Sequence, residues 1–288
     1  MASRTRIISQ SKAVYVSPTG ALSNLTVPQI NKTGCMPQQL HRVDTFSFDI
    51  DIAGGRQDIR EFGQLARIGT ITLGDLNPSF SLGYYLGAGE NEGNLGFNGL
   101  GFNADGSLRG QFVSGILAED PAKREKNLFV LTVKEGEDAF ASTNSFIDNP
   151  TGYFTPAERA NHDVVSLGNC NFESYSLNFA VGEIPRVDID GTAENVAFDT
   201  TSSGLYNPSL NKAGGRADTG QFMLGTPSTG NMSVLVLRPE DVTLAFSKEE
   251  FAFGGTDLGD MHVQSASIEV PLSRTPIEAL GSAKAVAK

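Results

Sequence analysis

Tryptophan is missing from this 288-residue chain, and cysteine and histidine are scarce, with two of the first and three of the second. Cys35 and Cys170 make neither a disulfide framework nor a zinc set. His41, His162 and His262 stand at no metal-ligand spacing from one another or from a cysteine, so each is read as an ordinary core or surface histidine. The chain has no G-x-S-x-G elbow, P-loop or H-E-x-x-H motif. No apolar run approaches the ~18 residues of a membrane span. No apolar stretch follows Met1–Arg6 as a secretion signal would require, so a soluble, unprocessed protein made in a reducing cytoplasm is expected. Cations are also short: 22 Lys and Arg face 33 Asp and Glu, a formal charge of −11. Gripping nucleic acid through its phosphates, or an anionic membrane, needs the opposite balance. The reading is of a non-enzyme, with no catalytic, cofactor-binding or metal-binding residue.

Two faint patterns do not change this. Gly87-Ala88-Gly89-Glu90-Asn91-Glu92-Gly93 has the wrong spacing for a dinucleotide loop and is read as a flexible loop. Asp188-Ile189-Asp190-Gly191 with Glu194 lacks the twelve-residue calcium-loop spacing and is read as a turn closing a hairpin.

Gly at 32, Pro at 13 and 39% apolar residues in short runs between turn residues predict a mainly β protein. The expected architecture is an antiparallel sandwich or barrel-like domain with one or two short helices and long Gly-rich loops. Phe46, Phe48, Ile50 and Ile52 alternate with Thr45, Ser47, Asp49 and Asp51, which predicts a strand with one core face and one polar face. Asp58-Ile59-Arg60-Glu61 then reads as a capped helix start. The design returns 220 positions later: Ala266, Ile268, Val270 and Leu272 alternate with Ser265, Ser267, Glu269 and Pro271, and Thr275-Pro276-Ile277-Glu278 again reads as a helix start. The two copies, 43–66 and 263–284, are an internal repeat with a shared Arg and Gly behind each row. The strand of this design, without its Gly signature, is repeated by Tyr175, Leu177, Phe179 and Val181. Further strands are expected at Leu128–Val133, Ser233–Leu237 and Val242–Phe246, and helix starts at Asp120-Pro121 and Thr155–Glu158. Residues 1–40, with a strand at Val14–Val16, read as an arm ordering on a neighbour or as an edge strand. Residues 41–288 read as one domain with loop insertions at 83–110 and 204–230.

The run Arg42-Val43-Asp44-Thr45-Phe46-Ser47-Phe48, followed by Arg56 to Ala66, Ile71-Thr72-Leu73 and Tyr84-Tyr85, resembles the N-terminal part of tail tube or major virion proteins of tailed phages. The resemblance spans about 45 residues and the C-terminal copy echoes it. It implies a virion structural protein, made in the host cytoplasm, that forms stacked rings through which viral DNA passes without specific binding. Its partners would be its own copies, in hexameric rings or pseudo-hexameric trimers, with sheath or other tail proteins outside and no membrane. A continuous β-lined ring would cover the open edges of antiparallel sheets. By alternation, Ser47, Asp49, Asp51, Ser267 and Glu269 are the candidate lumen-facing residues, and Phe46, Phe48, Ile50, Ile52, Ala266, Ile268, Val270 and Leu272 the core of the repeat. The competing readings are another β-rich virion component (capsid decoration, adaptor or baseplate protein) or, further off, a carbohydrate-binding or enzymatic sandwich using the two loops.

Overall fold

The computed structural model describes residues 12–18, 37–52, 56–63, 65–72, 76–87, 89–97, 113, 116, 125–133, 162–199, 206, 208–209, 224, 236–241, 263–272, 276–277 and 285–286. The described chain is mainly β, in antiparallel pairs. In order come β1 (Lys12–Pro18), β2 (Gln38–Leu40), β3 (Val43–Ile52), β4 (Arg56–Ile59), β5 (Gly69–Thr72), β6 (Leu76–Tyr85), α1 (Glu90–Leu95) and β7 (Lys126–Val133). They are followed by β8 (His162–Ala180), β9 (Arg186–Thr192), β10 (Asn195–Asp199), β11 (Ser265–Pro271), β12 (Pro276–Ile277) and β13 (Ala285–Val286).

One strand organises the rest. β8 is 19 residues long. Its first half pairs with β7 and β10, and its second half with β9 and β11. Two sheets therefore share it: β2-β1-β7-β8-β10 and β3-β6-β9-β8-β11. The handover falls at Asn169, which sits in left-handed backbone at φ 53 beside register shifts against β7 and, at 172–174, against β9. Asn tolerates that conformation better than most residues, and here its polar groups are satisfied. Its N–H donates to Asn127 Oδ1 (3.2 Å) and its side-chain amide to Glu125 Oε2 (2.8 Å), while Asn127 Nδ2 donates to Ser209 Oγ (2.7 Å). The preceding Gly168 lies so close to the Pro208 carbonyl that a Cβ there would collide with backbone.

The two sheets pack face to face. Val14, Val16, Leu40, Leu128 and Leu167 of the first form one core with Phe80, Leu82, Tyr84, Tyr175, Leu177, Val187 and Ile189 of the second. The other face of the first sheet is covered too: Ala13, Tyr15, Phe129, Leu131 and Val164 cluster with Tyr206 and Leu224. Burial on both faces explains why β1 and β7 read as near-continuous apolar runs where alternation would mark a half-exposed strand. It also corrects the reading of residues 1–40 as arm or edge, because Val14, Tyr15 and Val16 lie in an interior strand paired on both sides. Cys170 is buried in this core, where burial pushes its thiol pKa well above the ordinary value and keeps it protonated and unreactive. Cys35 lies outside the described residues.

Several sequence expectations change. Neither capped helix start is a helix. Residues 56–59 form β4, which pairs with β5 in a hairpin turned at Gly63 (φ 96), and residues 276–277 form β12, which pairs with β13. Asp58 does not cap: its carboxylate accepts from Thr70 Oγ1 (3.1 Å) and Arg67 Nη1 (3.3 Å) across the hairpin, and Ile59, Thr70, Ile71 and Thr72 are β-branched. Both copies of the repeat are thus a strand followed by a small hairpin. Asp188–Gly191 is strand interior, not a turn. The insertion placed at 83–110 begins inside β6, and its Gly87–Gly93 stretch, expected as a loop, holds the start of α1. The expectations at 120–121, 155–158, 233–235 and 242–246, and most of 204–230, lie outside the described residues.

α1 has six residues between two left-handed glycines, Gly89 and Gly96, and is too short to persist by propensity. Its side chains hold it. Asn91 exchanges two bonds with the backbone of His41 (2.9 and 2.7 Å), and Tyr84 donates its hydroxyl to buried Glu92 (2.9 Å). Just beyond it, Phe97 stacks on Phe172 (5.9 Å) and leans on Tyr175 (5.0 Å). Burial raises the Glu92 pKa, opposed by hydrogen bonds from backbone and from Tyr84. A raised folded-state value means that the folded protein binds this proton more tightly than the unfolded chain does. Stability is then lost as pH rises from the ordinary carboxyl value of 4.5 through the folded value. Glu92→Gln removes that loss: chemical denaturation should show a gain over the parent at neutral pH that vanishes near about pH 4. An equal gain or loss at every pH would refute the assignment.

Candidate assembly surfaces

With the first sheet covered on both faces, the second sheet has one face to spare. Its strand order is β3-β6-β9-β8-β11, and register fixes the rows that cross it. One row reads Ser47, Ser81, Asp190, Ser174, and the next reads Thr45, Gly83, Asp188, Ser176, Glu269. Flanking positions on the same face are Asp49, Ser79 and Thr192 on one side, and Tyr85, Arg186, Asn178 and Ser267 on the other. Every position on the opposite face of these strands belongs to the apolar row toward the core. The outer face is therefore a hydroxyl-rich plane carrying Asp49, Asp51, Asp188, Asp190 and Glu269, with Arg186 its one cation among the described residues.

That cation is tied down. Arg186 donates from Nε to Asp188 (2.9 Å), from Nη1 to Asp44 (2.8 Å) and from Nη2 to Thr45 (2.9 Å). The guanidinium reaches from β9 across β6 to β3, and it can do so only because the intervening residue is Gly83. A Cβ there would occupy the space of Arg186 Nη2, Thr45 Oγ1 and Asp188 Oδ1. Ser174 Oγ and the Asp190 carboxylate (3.0 Å), and Thr192 Oγ1 and Glu173 (2.9 Å), make further ties between β8 and β9. The effect is a braced, acidic plate.

The sequence-predicted polar residues all lie on this plate and are exposed: Ser47, Asp49 and Asp51 on β3, Ser267 and Glu269 on β11. Their strands are its two opposite edges, so the copies of the repeat frame a single sheet. Among the described residues each edge strand has one strand partner. The apolar rows behind them are only half covered. Phe46, Phe48, Ala266 and Val270 are partly buried and Leu272 is buried, but Ile50 and Ile268 remain 38% and 46% exposed; nothing is said of the Ile52 side chain. Phe48 meets Phe198 of β10 at the rim (6.4 Å).

Two further apolar surfaces were not anticipated from sequence. On the β4–β5 hairpin, Ile59, Phe62, Leu65, Ile68 and Ile71 are exposed, Phe62 and Leu65 completely. At the β8–β9 turn, Val181 and Ile184 are exposed beside Val263. The hairpin signal was available in the β-branched run at 68–72.

No protein-family model and no curated protein matches the chain. Solved structures similar to it include the anti-feeding prophage cap, which terminates a tube (12% identity, TM-score 0.35, covering 69% of this chain and 94% of that one). Others are the SPP1 tail tube (12%, 0.32, 67% and 79%) and a type six secretion system protein (12%, 0.30, 72% and 90%). Identities and scores this low fix no residue correspondence and carry no inference about this chain's role.

The brace predicts a non-additive pair. Gly83→Val should cost roughly 1–3 kcal/mol by displacing the guanidinium, and Arg186→Ala about 1 kcal/mol or less, since its ion pairs are part-exposed. In the Gly83→Val background Arg186→Ala should cost nothing more, and full additivity in a denaturation double-mutant cycle would contradict the brace.

Proposed function

We propose that this chain is a structural subunit of a phage tail tube, self-assembling into stacked rings around a conduit for DNA, and that it is not an enzyme. The observation that carries the reading is the plate itself: one acidic, apolar-free sheet face bounded by two open edges, each edge a copy of the repeated strand. It is supported by the resemblance of residues 42–85 to tail tube proteins. Open edges with half-covered apolar rows are a liability in a free monomer, and closing a ring of sheets removes them. An acidic, hydroxylated lumen repels phosphate and leaves DNA free to slide.

Strand direction adds a constraint. Five successive antiparallel strands leave β3 and β11 pointing the same way. In a cyclic ring every copy keeps one orientation along the axis, so β11 of one copy meets β3 of the next in parallel. That contact is heterologous, and rotation closes it. Because both copies of the repeat belong to one sheet, the reading is of one tube unit per chain and a hexameric ring in preference to a pseudo-hexameric trimer.

Negative-stain microscopy of the purified chain should show rings with sixfold symmetry or tubes; persistent monomers would sink the reading. For the lumen, Asp49→Lys with Asp51→Lys should leave assembly intact but make the tubes retain duplex DNA in a salt-sensitive way, because cations now face the phosphates. Variant tubes that release DNA as the parent does would put these residues elsewhere than the lumen.

A further inference from the structure

The β4–β5 hairpin and the β8–β9 turn lie at opposite ends of the same sheet. β3 delivers the chain to the hairpin at the end where Ile52 pairs with Leu76. The turn lies at the other end, where Tyr85 and Asn178 pair with Arg186 and Ser265 with Ala180. Both surfaces are apolar and exposed, which a soluble monomer seldom maintains without a partner.

We propose that these two poles are the mating surfaces of a stack: the hairpin of one copy docks on the Val181–Pro185 turn of a copy in the next ring. This rests on the stacked-ring reading and names the contact that reading needs. Three observations select a second copy as the occupant. First, the surfaces match in kind: Ile59, Phe62, Leu65, Ile68 and Ile71 against Val181, Ile184 and Val263.

Second, their charges are complementary. Residues 56–72 hold Arg56, Arg60 and Arg67 against Asp58 and Glu61, a net cation in a chain of net −11, whereas the turn carries exposed Glu183. Hairpin-to-hairpin contact would oppose like charges; hairpin-to-turn contact opposes unlike ones. Third, the receiving pole is preformed. Glu183 N–H donates to the Ala180 carbonyl (3.2 Å), Val181 N–H to Gln264 (2.9 Å) and Leu86 N–H to Pro185 (2.9 Å), with Gly182 at φ 85 making the turn. A contact between unlike ends that advances along the strands does not close on itself, so it yields an open stack.

The test uses the full chain with three variants. Phe62→Ser with Leu65→Ser should leave rings intact but lower sedimentable tube by about tenfold or more, as loss of central apolar anchors does. Arg60→Glu should weaken stacking, and adding Glu183→Arg should restore it. Rings that stack normally in the Phe62/Leu65 variant, or a charge reversal that gives no rescue, would overturn the contact and leave the ring reading standing. A parent chain that forms neither rings nor tubes would overturn both.

Discussion

Two sheets hang from one strand. β8 must serve β7 and β10 along its first half and β9 and β11 along its second, so it has to shift register and turn a corner without breaking. The left-handed Asn169, the buried Asn127 and Ser209 bonded beside it, and Gly168 pressed against Pro208 meet that demand at one point. If the corner failed, the sheets would lose their common strand and the shared core of Leu128, Leu167, Phe172 and Tyr175 would have no scaffold.

The asymmetry of the two sheets follows from that arrangement. The first is apolar on both faces and covered on both, so it reads as core. The second spends one face on the same core and turns the other outward. That outward face is built for stiffness without hydrophobic cover: hydroxyl–carboxylate ties between β8 and β9, and a guanidinium stretched over a glycine to bind β9 to β3. A plate braced through side chains can keep its edge strand in place where no further strand flanks it.

What the molecule leaves uncovered is as ordered as what it buries. Half-exposed Ile50 and Ile268 sit on the two lateral edges, and the larger apolar groups sit at the two ends of the strands. Lateral edges suit closure around an axis and unlike poles suit repetition along it, which are the two operations a stacked-ring tube requires.

Alternation in the sequence determined the strands of the repeat, their two faces and the mainly β class, because a period of two is a local property of side-chain direction. Missing motifs and the acidic balance likewise needed no structure. The hairpins at 56–72 and 276–286 were misread as helix starts, since Asp58-x-x-Glu61 and Thr275-Pro276 satisfy a local capping rule that cross-strand pairing overrides. That Asp49 and Glu269 share one plate, that Arg186 spans Gly83, and that Glu92 is buried under Tyr84 were decided by register between strands far apart in the chain. Such registers are fixed by how β8 divides itself between two sheets, and no window of sequence contains that choice.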